Sequence, residues 1–207
     1  MVKRISRTLL LFVGPFLILS ACATGSSLYV PGDLARSPLG VAAPAAGVPQ
    51  ALIADFSFAA APNGVIGRDF DRARPIVWNG EPGKAMADLV AGALGERGVG
   101  TVRPGPDTQG VGALPARISG TLTRFEVNSR RTGNLTVTTE ATVSISVTAE
   151  GPGVAGSLER TITSSSSLPG LFVTVDDIRG ALLSVANTVA DEVARTMIEA
   201  KVVTPSP

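Results

Sequence analysis

The feature that most constrains the fold is an alternation of residue types across residues 135–150. Apolar residues at almost every second position alternate with threonine, serine or glutamate. Successive side chains of a strand point to opposite faces, so this pattern predicts a long strand with one buried face and one hydroxyl-rich face in water. A sheet with one apolar face must be covered by another layer, and the rest of the chain has to supply that layer.

The segment before this strand predicts its antiparallel neighbour. Residues 116–127 alternate in the same way until the phase changes by one residue, which indicates a β-bulge near Thr123 and Arg124. Gly133 and Asn134 lie between the two segments and favour a hairpin with a bulged tip. Three more segments have the character of strands and are expected to extend the sheet, namely residues 51–59, 99–102 and 158–166.

Two segments have the apolar spacing of three and four residues that predicts an amphipathic helix. The first is 84–97, where Gly98 supplies a natural stop. The second begins near Thr174, whose hydroxyl can cap it, and has Asp176 and Asp177 in its first turn. Together these elements predict an α+β fold, with about four to five strands in an antiparallel or mixed sheet and two amphipathic helices packed on one face.

Two features leave a choice between packing and recognition. Residues 62–75 carry alternating charges between glycines and prolines, which favours a solvated loop with local ion pairs over a binding surface. Trp78 is the single tryptophan. It either packs in or near the core, the favoured interpretation, or anchors a partner.

The N-terminus has the organisation of an export signal. Three basic residues within the first seven positions precede an apolar run at 9–19, which is too short and too interrupted to span a bilayer. The motif that follows is Leu19, Ser20, Ala21 and Cys22, and it resembles the lipobox of bacterial lipoproteins. An ordinary secretory signal with a chance cysteine is the alternative, but Cys22 is the only cysteine and stands where a lipobox requires it.

The lipobox resemblance implies a lipid-anchored protein. Residues 1–21 would be removed as the signal peptide, and Cys22 would carry a diacylglyceryl group on its sulfur and a fatty acid such as palmitate on its freed amine. Several acyl chains anchor a protein stably where one chain is marginal. Ala23 stands where inner-membrane retention signals carry aspartate. The resemblance therefore implies an outer-membrane anchor with the domain facing the periplasm.

The remaining chain divides into three parts. Residues 22–50 contain the lipidated cysteine and a stretch rich in alanine, proline and glycine, which predicts a flexible linker. The alternative for Tyr29 and Val30 is an ordered arm packed on the domain. Residues 51–201 are expected to form a single α+β domain, and residues 202–207 a loose tail.

Composition excludes several classes of function. Of 18 Lys plus Arg, three lie in the signal, which leaves 15 against 17 Asp plus Glu. Binding phosphates needs a clustered basic surface that this balance does not provide, so we expect no nucleic-acid partner. Histidine is absent and the one cysteine would be acylated, so the commonest catalytic bases and metal ligands are missing. The serine run 164–167 lacks a base and is expected to be a strand edge running into a turn. We therefore expect no catalytic residues, no metal and no cofactor.

The order of elements between residues 51 and 200 resembles small envelope lipoproteins of the YajG-like type. It is also similar to the α+β domain of LPS-assembly and curli-secretion lipoproteins and of the N-terminal part of TolB. The segments that carry this likeness are ALIADF, LGERGV and ISGTLTRFEV, together with the long Thr/Val strand. The resemblance implies a non-enzymatic interaction or assembly factor of the cell envelope with a protein partner. The alternative is an auxiliary lipid- or small-ligand-binding lipoprotein of an ABC-type lipid transport system.

Lipidation at Cys22 is directly testable. Wild-type protein made in a host with an intact lipidation pathway should incorporate a fatty-acid analogue, and Cys22→Ala should not, because the acyl chains are attached to that residue. Thermal unfolding of a chain starting at Ala23 should match that of the detergent-extracted wild type, since Cys22 contributes no packing. Wild type that takes up no label would disprove the anchor.

Overall fold

A computed structural model describes residues 27–34, 50–59, 62–70, 74–104 and 116–205. The lipobox and Cys22 lie outside these ranges. Within them the chain forms nine strands and two helices. In chain order these are β1 (Leu28–Pro31), β2 (Ala51–Ile53), β3 (Ser57–Phe58), β4 (Val65–Arg68), β5 (Pro75–Asn79), α1 (Pro82–Gly95), β6 (Thr101–Val102), β7 (Ala116–Arg131), β8 (Val137–Glu150), β9 (Ser157–Gly170) and α2 (Val175–Glu199).

The large sheet is built on three long antiparallel strands. Its order is β6-β2-β7-β8-β9, and β3 also pairs with β7. The hairpin of β7 and β8 predicted from the alternation is present, and β8 pairs with β9 over their full lengths with no shift in register. The short strands β2, β3 and β6 add parallel pairs. The sheet is therefore mixed, and with six strands it is larger than the four to five predicted.

The predicted β-bulge is confirmed. The register of β7 against β8 shifts between Leu122 and Arg124. Both Leu122 and Phe125 are buried although they have opposite alternation phases. The extra residue of the bulge reverses the alternation of the residues that follow it. Phe125 therefore faces the same core as Leu122.

A second sheet, β1-β5-β4, was not predicted. It contains the hairpin of β4 and β5, which lies in and after the segment 62–75 that was expected to be a polar loop. That expectation is wrong for Val65–Arg68, because the charged residues begin only at the last residue of this strand, Arg68, and the others follow it in the sequence. Strand β1 lies within the predicted linker and pairs in parallel with β5. Val30 is fully buried there, whereas Tyr29 is exposed, so this segment is the ordered arm rather than free linker.

Trp78 joins the two sheets. It is 3% exposed, and its ring meets Phe125 of β7 edge-to-face with centroids 5.1 Å apart. The backbone amide of Arg68 also donates to Asn128 Oδ1 at 3.1 Å. Trp78 is thus a core residue, and these contacts fix β4 and β5 against β7.

Helix α2 covers the large sheet. The Thr174 hydroxyl accepts from the Asp177 amide, and the Asp177 carboxylate accepts from the Thr174 amide, each at 3.1 Å. This capping box confirms the predicted helix start. The helix packs against β8, β9 and α1. The stripe expected on its apolar face is buried and consists of Ile178, Leu182, Val185, Val189, Val193 and Met197.

The packed domain extends past residue 201. Val202 and Val203 are buried in the core, so the prediction of a loose tail from 202 is wrong for these two residues. Lys201 has a left-handed φ of 57°, and the Val202 amide donates to the Met197 carbonyl at 2.9 Å. The chain therefore turns back at the end of α2 and buries both valines. In the described ranges no helix is long and apolar enough to cross a membrane.

Two glycine substitutions test this packing in opposite directions. A Cβ at Gly67 would lie 1.6 Å from the Val127 carbonyl oxygen, so Gly67→Ala has to separate β4 from β7. We expect it to lower the free energy of unfolding by about 1–3 kcal/mol or more. Gly180 lies in α2 with open space around it, so Gly180→Ala should raise that free energy by about 0.5–1 kcal/mol. Urea unfolding measures both, and a neutral Gly67→Ala would contradict the contact.

Candidate functional site

Exposed apolar side chains gather at one end of the large sheet. Strand β8 starts and β9 ends there, since Val137 pairs with Gly170. Leu135, just before β8, and Leu171 and Phe172, just after β9, are 79%, 65% and 79% exposed. Scattered exposed apolar residues are ordinary, but several at one place indicate a site of interaction.

These side chains border a groove of about 420 Å³. The sequence alternation placed Leu135 on the buried face of the strand, and this is wrong. The Thr136 carbonyl accepts from the Thr132 amide at 2.9 Å, which closes the hairpin turn and leaves Leu135 outside the strand. The residues lining the groove are Asp69, Phe70, Arg74, Arg131, Asn134, Leu135, Val137, Leu171, Phe172 and Val173.

A buried carboxylate fixes one wall of the groove. Asp69 is 2% exposed, and its Oδ2 accepts from Arg74 Nε and Nη2 at 2.9 and 2.5 Å. Ser129 Oγ donates to Asp69 Oδ1 at 3.0 Å and accepts from the Phe70 amide at 2.8 Å. These bonds tie the connection between β4 and β5 to β7. The local ion pair expected in this segment is therefore present, and it is structural.

Positive charge lies beside the apolar wall. The Arg131 guanidinium lies 5.0 Å from the centroid of the Phe70 ring, a cation–π contact. Arg74, in the same lining, is the partner of Asp69. An apolar groove with a guanidinium at its border suits a molecule with an apolar chain and an anionic end.

Strand β9 forms an open edge of the large sheet. It pairs with β8 on one side, and within the described ranges no strand pairs with its other side. Ser164–167 lies within β9, which continues to Gly170, so the run is a strand edge but the turn comes later than expected. Ser165 and Ser167 belong to the polar face, where Ser144 Oγ and Thr163 Oγ1 lie 2.7 Å apart, because they are paired with Thr142 and Glu140.

The other charged clusters are structural. A second cleft of about 490 Å³ is lined in part by Asp33 and Asp88, which are paired with Arg179 and Arg103. Among the described residues no three metal-ligating side chains come together. On α2, the hydrogen bond and charge of Glu192, followed by the charge of Glu199, raise the pKa of Arg195 above its ordinary value. That group is already protonated, so the shift adds no chemistry.

Comparisons with known proteins show the fold alone. No family model and no curated protein matches the sequence. A Xanthomonas campestris protein of the family DUF330 has the same fold, with a TM-score of 0.54, 13% identity, and coverage of 84% of this chain and 96% of that one.

Two more solved structures align more loosely. A minor lipoprotein from Acinetobacter baumannii has a TM-score of 0.38 and 12% identity, covering 77% of this chain and 98% of that one. The PelC dodecamer from Paraburkholderia phytofirmans has a TM-score of 0.38 and 15% identity, covering 73% and 91%. Scores this low support no assignment, so function must be argued from the site.

The groove should bind an apolar chain. A protein starting at Ala23 keeps every described residue, and we expect it to bind a fluorescent fatty-acid analogue. Phe172→Ser or Leu135→Ser should weaken binding by about tenfold or more, because burial of such a side chain contributes about 1.5–3 kcal/mol. Leu168→Ser, an exposed leucine outside the groove lining, is the control. Equal binding by all four proteins would show that the groove is not the site.

Proposed function

We propose that this chain is a non-enzymatic lipoprotein of the cell envelope, of the YajG-like type, that acts as an interaction or assembly factor. Acyl chains on Cys22 hold it in the outer membrane, and its domain faces the periplasm. The motif ending at Cys22 and the identity of Ala23 support the anchor and its sorting.

The observation that carries the proposal is the open edge of β9. Its 14 residues, Ser157–Gly170, run in unbroken register with β8 and leave a row of backbone N–H and C=O groups on the other side. Such an edge is a template for pairing with another strand. Its charged residues, Glu159 and Arg160, lie near one end, and Pro169, which has no N–H, lies near the other, so the middle of the edge is open to an incoming backbone.

The partner is an extended segment of an envelope protein that adds a strand to β9. Main-chain hydrogen bonds would supply the affinity in this mode, and alternate side chains the specificity. The solvent face at this edge bears serine and threonine, including Thr163 and Ser165. A partner strand with small polar residues on the matching face fits this surface without burying an unpaired charge.

Catalysis is not part of the proposal. The sequence has no histidine, and Ser164–167 has no general base to activate it. Asp177 is engaged in the helix cap, and Asp69 is engaged with Arg74 and Ser129. Each of these polar groups therefore has a structural role that explains its position.

Adjacent proline substitutions test the edge. Along an antiparallel strand successive N–H groups alternate between the paired side and the open side. One of Ser165→Pro and Ser166→Pro should therefore break a bond to β8 and lower the thermal midpoint, while the other leaves folding intact. We expect the folded variant to lose about fivefold to tenfold of its crosslinked partner in cells, since a hydrogen bond contributes about 1 kcal/mol.

Thr161→Ser is the control for the two proline variants. Thr161→Ser keeps the backbone donor and should capture the partner as the wild type does. If the folded proline variant captures the same partner in the same amount as Thr161→Ser, the partner does not pair with β9 and the proposed mode of interaction is wrong.

The alternative function is an auxiliary lipid- or small-ligand-binding lipoprotein of an ABC-type lipid transport system. The groove of about 420 Å³ beside Phe172 favours it, because its size and apolar lining suit an acyl chain. The fatty-acid measurement described above tests this role without bearing on the β9 edge, which lies outside the groove lining: saturable binding that depends on Phe172 supports ligand binding, and no binding rules it out.

A further inference from the structure

The start of the ordered chain lies at the same end of the domain as the groove. In the small sheet, Leu28 of β1 is paired with Ile76, whose other neighbour is Gly67. The next residues beyond these strand ends, Asp69 and Arg74, form the groove wall. The segment that leads back to Cys22 therefore leaves the domain beside the groove.

The tether to the proposed anchor is short. Leu28 is six residues beyond Cys22, and an extended chain spans at most about 3.3–3.6 Å per residue. The ordered strand thus begins within about 20 Å of the anchor. A free linker over 22–50 would have allowed the domain to stand much farther away. The segment after β1 also contacts α2, where Asp33 is paired with Arg179 at 3.1 Å.

The exposed apolar residues share this end with the tether. Leu135, Leu171 and Phe172 are the most exposed of the large apolar side chains near the groove, and Tyr29 of β1 is 65% exposed. Apolar and aromatic side chains with guanidinium groups near them are typical of surfaces that lie in the membrane interface. Here Arg131 lies over Phe70 at the groove border.

We infer that the groove end of the domain rests on the membrane that holds the anchor, with Phe172, Leu171 and Leu135 inserted between lipid headgroups. The inference rests on the proposed lipidation of Cys22. Three carboxylates at this end are engaged within the protein and do not form a free negative patch against the membrane. Asp69 is paired with Arg74, Glu140 is paired with Arg130, and Asp177 caps α2. Asp176, in the first turn of α2, is an exposed carboxylate near this end.

Site-specific fluorescence tests this orientation. Cys22 is the only cysteine, so in the acylated full-length protein Phe172→Cys introduces the only free thiol for a fluorescent label. The labelled protein is placed in vesicles of phosphatidylethanolamine and phosphatidylglycerol with spin-labelled lipid. An interfacial face lies about 5–10 Å deep, so the label at 172 should lose about half or more of its emission. Leu135→Cys should behave in the same way.

Ala155→Cys is the matched control. Ala155 is exposed in the turn between β8 and β9, at the far end of strands 14 residues long. At about 3.3 Å per residue this turn is about 45 Å from the groove, so its label should keep its emission. Equal quenching at 155 and 172 would overturn the orientation.

Other outcomes separate this inference from the anchor itself. Mass spectrometry first shows whether Cys22 carries its acyl chains, and an unmodified cysteine would overturn both proposals. In acylated protein, a label at 172 open to aqueous iodide and unquenched by lipid would overturn only the membrane contact. A label shielded from iodide yet unquenched by lipid would show that a second copy or another protein covers the groove, and would also overturn it.

Discussion

The whole domain depends on covering one apolar face of the β7–β8–β9 ladder. Three long strands, in register except at the bulge in β7, expose a broad apolar surface, and α2 covers its β8 and β9 part with a stripe running the length of the helix. Helix α1 then packs on α2. The small sheet packs against β7, where the ring of Trp78 contacts the ring of Phe125. Loss of the α2 layer would leave the ladder with one face in water, which a sheet of this composition does not tolerate.

The sequence predicted the elements whose patterns are long. Three patterns extend over enough residues to be distinguished from chance. They are the alternation that ends at Glu150, the phase change before Phe125 and the capped helix after Thr174. The strands of the small sheet were missed because their stability comes from distant partners. Leu28–Pro31 has four residues and a proline, and nothing near it indicates pairing with Pro75–Asn79. The strands β3 and β6 do lie within the predicted segments 51–59 and 99–102, but their neighbours rather than their own composition limit each to two residues.

The candidate sites also differ in whether a local sequence pattern reveals them. The anchor at Cys22 is a linear motif, so it was predicted from sequence, and it lies outside the described residues. The groove is assembled from three separate segments, and no local pattern unites Asp69, Leu135 and Phe172. One signal was present: Leu171 and Phe172 are adjacent apolar residues between Gly170 and the Thr174 cap, where a connection is normally polar. For Leu135 the sequence signal was misleading. Its position in the alternation predicted burial, but the hairpin turn leaves it outside the strand and exposed.

The parallel pairing of β1 with β5 has a mechanical consequence. With the groove end toward the bilayer, tension between the anchor and a partner held in the periplasm pulls β1 along its own axis. The bonds to β5 are then loaded in shear and share the force, instead of opening one after another from a free end. Strand β1 also packs against α2, and the exposed ion pair between Asp33 and Arg179 adds a weak link just beyond its end. Tension on the anchor is thereby passed to the longest helix of the domain.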